Sequence, residues 1–178
     1  MRSRQRGITL IEMMLAVAVA CILVAMGVPA LGSMLARSHQ QSAEDALQAS
    51  LLHARELAIT RGVQTVVCPS NDGKQCNDDD LWQGGWMIGE DMDHDHEPDT
   101  ALARFDALPE NMRVVSSQGR PRVVFQPDGS AGGSNAQLTI CHTNDTAEGR
   151  AVIVSNSGRV RIAPADAAHL GTCLASGD

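Results

Sequence analysis

Residues 6–36 read RGITLIEMMLAVAVACILVAMGVPALGSMLA, and the reading of this stretch decides the N-terminal half of the fold. From Met13 to Ala36 there is no charged side chain, a run of 24 residues. At about 1.5 Å per residue such a helix is about 36 Å long, enough for a bilayer core of about 30 Å. Arg2, Arg4 and Arg6 precede the run without an acid, the pattern of a segment kept on the cytoplasmic side. A secretory signal would be shorter and would carry its small cleavage residue after the apolar core. Here the small residue, Gly7, comes before it. Glu12 is the anomaly, because a carboxylate in an apolar segment is costly unless it is paired, protonated or at the headgroup level.

The sequence Arg6-Gly7-Ile8-Thr9-Leu10-Ile11-Glu12 resembles the class III signal of type IV pilins and type II secretion pseudopilins. The resemblance implies that a prepilin peptidase cuts between Gly7 and Ile8 and methylates Ile8. It also implies that Glu12, fifth in the mature chain, pairs with the amine of a neighbouring subunit in a filament. Pro29 lacks an N–H and is expected to kink the helix.

Beyond Ala36 the chain turns polar but stays helix-friendly, with Leu47, Leu51, Ala54 and Ala58 on one face and Gly62 as a stop. The pattern predicts one helix from about Ile8 to Arg61. The divisions expected are a leader at 1–7, a membrane or filament-core helix at 8–36, an amphipathic continuation at 37–62 and a β-rich periplasmic head at 63–178. In the head, short apolar runs alternate with turns such as Asn71-Asp72-Gly73, Pro127-Asp128-Gly129 and Asn156-Ser157-Gly158. Strands are expected at 63–68, 85–89, 102–105, 113–115, 122–126, 137–142, 151–156 and 159–163, with no helix among them. The fold class is α+β, a helix laid on antiparallel sheets.

Cys21 reads as apolar filler within the first helix. Cys68, Cys76, Cys141 and Cys173 form an even set behind an export segment, so two disulfides are expected, in one of three pairings. Cys68–Cys76 and Cys141–Cys173 are preferred, the first closing a tight loop and the second pinning the C-terminal tail. No cysteine pair has the two-residue spacing of zinc sites, and no cofactor is expected.

With 14 basic and 21 acidic residues the formal charge is −7, which excludes a generally basic nucleic-acid binder. Aromatics are few and Tyr is absent, which argues against a stacking platform for bases. Residues 72–99 hold ten acids and one Lys, whereas 113–161 hold six arginines and three acids. Asp91, Asp93, Asp95 and Asp99 loosely resemble a calcium loop, but the turn glycine and closing glutamate are missing, so a solvated loop is expected. His94 and His96 alternate with these acids and have no partner ligands elsewhere in the chain.

Gly158-Arg159-Val160-Arg161 follows an apolar run and a turn, so it begins a returning strand. Arg159 and Arg161 then share a face about 6.7 Å apart, two strand rises, opposite Val160 and Ile162. Two fixed cations so placed suit neighbouring phosphates, although arginine on a strand edge is also a common solubility device. The sequence cannot place Arg120, Arg122 and Arg150 relative to them.

Four features together resemble the GspH/FimT group of minor pilins and pseudopilins: the N-terminus, the loop from Cys68 to Cys76, the Trp82 to Trp86 segment and the Gly158–Arg161 motif. In the FimT branch such a GRxR motif binds DNA during natural transformation, which by resemblance assigns DNA binding to Gly158, Arg159 and Arg161. The FimU branch carries a similar end sequence and serves in a pilus tip, so a purely structural filament subunit is the alternative. Expected partners are the prepilin peptidase, other pilins or pseudopilins, the inner membrane and DNA. No enzyme is expected: G-x-S-x-G, H-E-x-x-H and phosphate-loop motifs are absent, and neighbouring Cys141 and His142 point to opposite faces of a strand.

Overall fold

The computed structural model describes residues 9–143 and 145–176, without the side chains of 26–30, 33 and 145–148. The expectations for Gly7 and Ile8 lie outside the described residues, as does the Pro29 side chain. Two compact units are present, Met1–Ser38 and His39–Asp178.

Helix α1 spans Leu10–Arg61. Thr9 opens it: its carbonyl accepts from the Met13 N–H at 3.2 Å, and its hydroxyl accepts from the Glu12 N–H at 3.4 Å. Thr9 and Glu12 thus hold the relative positions of a capping box, and Glu12 lies in the first turn, where the helix dipole favours an anion. In the first unit the described apolar side chains are exposed all round, from Leu10 and Ile11 to Leu31 and Leu35. So much bare apolar surface requires a covering partner. Among the described residues, however, no helix is long and apolar enough to cross a membrane. This departs from the reading of 8–36 as a bilayer span; Glu12 and the side chains outside the description fall within that run.

In the second unit Ala43, Leu47, Leu51, Ala54 and Ala58 are all buried, the helical spacing placing them on one face. They form one core with both sheets. The strands are β1 (Gln64–Pro69), β2 (Trp86–Asp91), β3 (Thr100–Phe105), β4 (Met112–Ser116), β5 (Val123–Phe125), β6 (Ala136–His142), β7 (Asp145–Val154) and β8 (Val160–Pro164). They make two antiparallel four-stranded sheets, β3-β2-β1-β5 and β4-β6-β7-β8. Strand alternation gives each sheet two apolar faces. Val67, Ile88, Val123 and Phe125 of the first sheet join the helix core, while Val66, Cys68, Met87 and Val124 pack with Cys76 on the other side.

The expectation of a head without a further helix is corrected. Helix α2 spans Ala167–Ala175, capped by Asp166, whose carboxylate accepts from the N–H groups of Ala168 and His169. It covers the outer face of the second sheet, where Cys173 packs with Val115 and Cys141 beside Leu81, Leu170 and Leu174. Its short apolar stripe and internal Gly171 hide it from periodicity; the legible signal was an Asp two residues after Pro164. Disulfides join Cys68 to Cys76 (Cα–Cα 5.5 Å) and Cys141 to Cys173 (Cα–Cα 6.2 Å). Cys21 is free and exposed.

Candidate functional site

The β7–β8 turn carries the Gly158-Arg159-Val160-Arg161 motif at the free edge of the second sheet. Ser155 organises it: its N–H donates to the Arg159 carbonyl at 3.1 Å and its carbonyl accepts from the Gly158 N–H at 2.8 Å. Gly158 has φ +74° and is buried. A Cβ there would stand 1.9 Å from the Gly129 carbonyl oxygen and 3.0 Å from the Arg55 Nε. The glycine is therefore needed to pack the turn against its neighbours, not to supply flexibility at a ligand.

Arg161 pairs across the sheet with Ile153. Val160 and Ile162 pack against the core, and Arg159 and Arg161 are exposed. Among the described residues neither guanidinium has an ion-pair or hydrogen-bond partner, in contrast to most other arginines of the head. Arg61 holds Glu90 at 2.7 Å, Arg150 holds Glu44 at 3.2 Å, and Arg104 stands 3.7 Å from Asp106. Arg150 is thus tied to α1 and not part of a cluster with Arg159.

The same four-residue pattern occurs a second time, at Gly119-Arg120-Pro121-Arg122, and Gly119 also has a positive φ, +73°. Its setting differs. Arg122 is mostly buried and bridges two carboxylates, Asp78 at 2.6 Å and Glu97 at 2.5 Å. Arg120 donates to the Gly133 carbonyl. The sequence pattern is shared; among the described residues, both guanidinium groups lack a partner in the β8 copy and neither does in the other.

Asp128 adjoins the Gly129 that packs against Gly158, whereas Asp78–Asp80 lie elsewhere. Leu81 bridges to Val115 on β4, and the Ser116 N–H donates to the Asp80 carbonyl at 2.9 Å. Asp78–Asp80 therefore stand beside β4, at the edge opposite β8, about 14 Å away by three strand spacings. Asp91, Asp93 and Asp99 bring carboxylate oxygens within 4.8 Å of one another. These groups close their own loop: Asp91 accepts from the His94 N–H at 2.7 Å and the His96 N–H at 3.0 Å, and Asp99 from the Met92 N–H at 2.7 Å. His94 and His96 take positive φ within it.

On α2, the His169 N–H and then the His169 ring hold the Asp166 carboxyl down to about 2. The ring nitrogen Nδ1 lies 2.7 Å from Asp166 Oδ2.

One residue of the motif's surroundings had no sequence signal. Arg55, on α1 beside the buried Ala54, donates from Nε to the Gly129 carbonyl at 2.8 Å and so reaches the Gly158 turn. Helical periodicity places its neighbours in the core but says nothing of what lies across from it.

Three comparisons bear on this arrangement. The family model described as Type II transport protein GspH matches residues 43–158, and the prokaryotic N-terminal methylation motif matches residues 2–28. No curated protein matches. Among solved structures, the type IV minor pilin FimU of Pseudomonas aeruginosa is similar at TM-score 0.60 and 22% identity, over 74% of this chain and 92% of that one. The minor pseudopilin EpsH of the Vibrio cholerae Type 2 Secretion System is similar at TM-score 0.51 and 14% identity, over 71% of this chain and 97% of that one. These likenesses carry the fold, a pilin helix with a head of two antiparallel sheets. With the methylation motif in front and the family match across the head, the chain belongs to the GspH family of pilin-like subunits.

Proposed function

We propose that this GspH-family subunit is a minor type IV pilin that binds DNA non-specifically through Arg159 and Arg161 during uptake in natural transformation. Prepilin peptidase cuts between Gly7 and Ile8, and Glu12 then pairs with the amine of a neighbouring subunit. Before assembly, residues 8–36 hold the subunit in the bacterial inner membrane with the head in the periplasm. The protein works by assembly and binding, not by catalysis.

The observation that carries the DNA reading is the pair of exposed guanidinium groups, without a partner among the described residues, at a sheet edge remote from Asp78–Asp80. Always-charged forks at strand spacing suit successive phosphates. The four aromatic residues, Trp82, Trp86, Phe105 and Phe125, all belong to the core, so the contact is to backbone and indifferent to sequence. A second reading, a purely structural minor pilin or pseudopilin that initiates or caps the filament, is favoured by the net charge of −7. Fluorescence anisotropy of labelled duplex DNA with the full chain in detergent micelles separates them. Salt-sensitive binding that Arg159→Gln with Arg161→Gln abolishes supports the DNA reading; no binding by the wild type at low ionic strength leaves the structural one.

A further inference from the structure

We infer that Arg55 is a third phosphate-binding residue of the β8 site, held in place by the motif's own glycine. The inference rests on the DNA reading above and extends it to a residue 103 positions before Gly158.

Arg55 is half-buried on α1. Its Nε is spent on the Gly129 carbonyl at 2.8 Å, which fixes the side chain, while its terminal nitrogens have no partner among the described residues. The same Nε lies 3.0 Å from the place a Cβ on Gly158 would occupy. Successive Cα atoms are about 3.8 Å apart, so the anchored guanidinium sits within about one residue of the Arg159 backbone. No carboxylate neutralises it among the described residues, whereas Arg61 and Arg150 each hold one and Arg122 holds two. A guanidinium has five N–H donors, and a site that uses one of them on a carbonyl keeps the terminal pair for an anion. Gly158 and Gly129 make this approach possible: a Cβ on Gly129 would fall 3.2 Å from the Arg55 Nε and 2.7 Å from Ile59 Cδ1. A side chain at either glycine would push Arg55 away from the turn. The motif glycine thus brings a cation from the helix to the turn that leads into the two cations on the strand.

Counterion release makes the number of phosphate contacts measurable. Each contact contributes about −0.9 to the slope of log affinity against log salt on duplex DNA. Arg159 and Arg161 alone predict about −1.8, and Arg55 brings this to about −2.7. Between about 0.05 and 0.2 M salt, affinity then falls about 40-fold with three contacts and about 12-fold with two.

The experiment measures anisotropy of labelled duplex DNA with the full chain in detergent across that salt range, for wild type, Arg55→Gln and Arg55→Lys. The expected slopes are about −2.7, −1.8 and −2.7, because lysine keeps the charge while losing the bond to Gly129. A wild-type slope near −1.8 that Arg55→Gln leaves unchanged overturns the inference and leaves the DNA reading standing. Absence of wild-type binding overturns both. If Arg55→Gln fails to fold, the wild-type slope decides: about −2.7 supports a third contact, and about −1.8 refutes it.

Discussion

Gly158→Ala is the substitution that most directly probes how the motif is built. The residue has φ +74°, a conformation that costs an L-residue about 1 kcal/mol. The new Cβ would also stand 1.9 Å from the Gly129 carbonyl oxygen, a backbone atom that cannot swing aside. Overpacking of this kind adds about 1–3 kcal/mol, for a total of about 2–4 kcal/mol. In a domain the size of this head that lowers Tm by about 6–12 °C, at about 3 °C per kcal/mol. Gly119→Ala is the internal control. Gly119 has nearly the same φ, +73°, begins the same four-residue pattern and has nothing within 4 Å of a built Cβ. Its cost is the conformational part alone, about 1 kcal/mol or about 3 °C. Thermal unfolding of the full chain in detergent, with both disulfides intact, reads the two variants side by side. Equal Tm losses for Gly158→Ala and Gly119→Ala would refute the packing role given to Gly158.

Replacing Cys141 and Cys173 together by Ser releases α2 and a loop of sequence separation 32, against 8 for Cys68 and Cys76. Chain entropy predicts losses of about 3.7 and 2.6 kcal/mol, read as denaturant midpoints; a larger loss for the short loop would contradict the α2 anchoring role. The Asp166 carboxyl sits below its ordinary value of 3.8, at about 2, so its contribution is complete above about 4 and is lost as pH falls through about 2. NMR of α2 should show its first turn fraying in that window, with Asp166→Asn insensitive to it; fraying of wild type above pH 4 would be the wrong sign. Mass spectrometry of the mature chain should find N-methylated Ile8, with a bulky residue at position 7 blocking the cut; an intact Met1 would remove the pilin processing step.

Much of the architecture was legible because it rests on periodicity. Leu47, Leu51, Ala54 and Ala58 announce a buried helix face, and short apolar runs between glycine turns announce the strands that meet it. Helix α2 was not legible, since nine residues with a central glycine give no sustained period and its stability comes from the Cys141–Cys173 bond and Leu170 against the sheet. The site divides in the same way. Alternation along one strand placed Arg159 and Arg161 on a common face. Whether an arginine is free depends on partners far along the chain: Arg122 on Asp78 and Glu97, Arg150 on Glu44, Arg120 on Gly133. Those pairings separate a spent copy of the pattern at 119–122 from a free one at 158–161, and no local signal carries them.

That contrast supplies the most direct measurement. DNA binding of the full chain at low ionic strength is compared between Arg159→Gln with Arg161→Gln and Arg120→Gln with Arg122→Gln. Each pair removes the same two charges from the same four-residue pattern, so any non-local change in net charge is matched. The β8 pair should lose binding while its Tm stays within about 1 °C of wild type, because exposed, unpartnered side chains contribute little to stability. The 119–122 pair should keep binding but lose stability, because Asp78 and Glu97 lose their shared cation. Equal loss of binding in both would show a diffuse charge effect, and loss only in the 119–122 pair would contradict the site assignment outright.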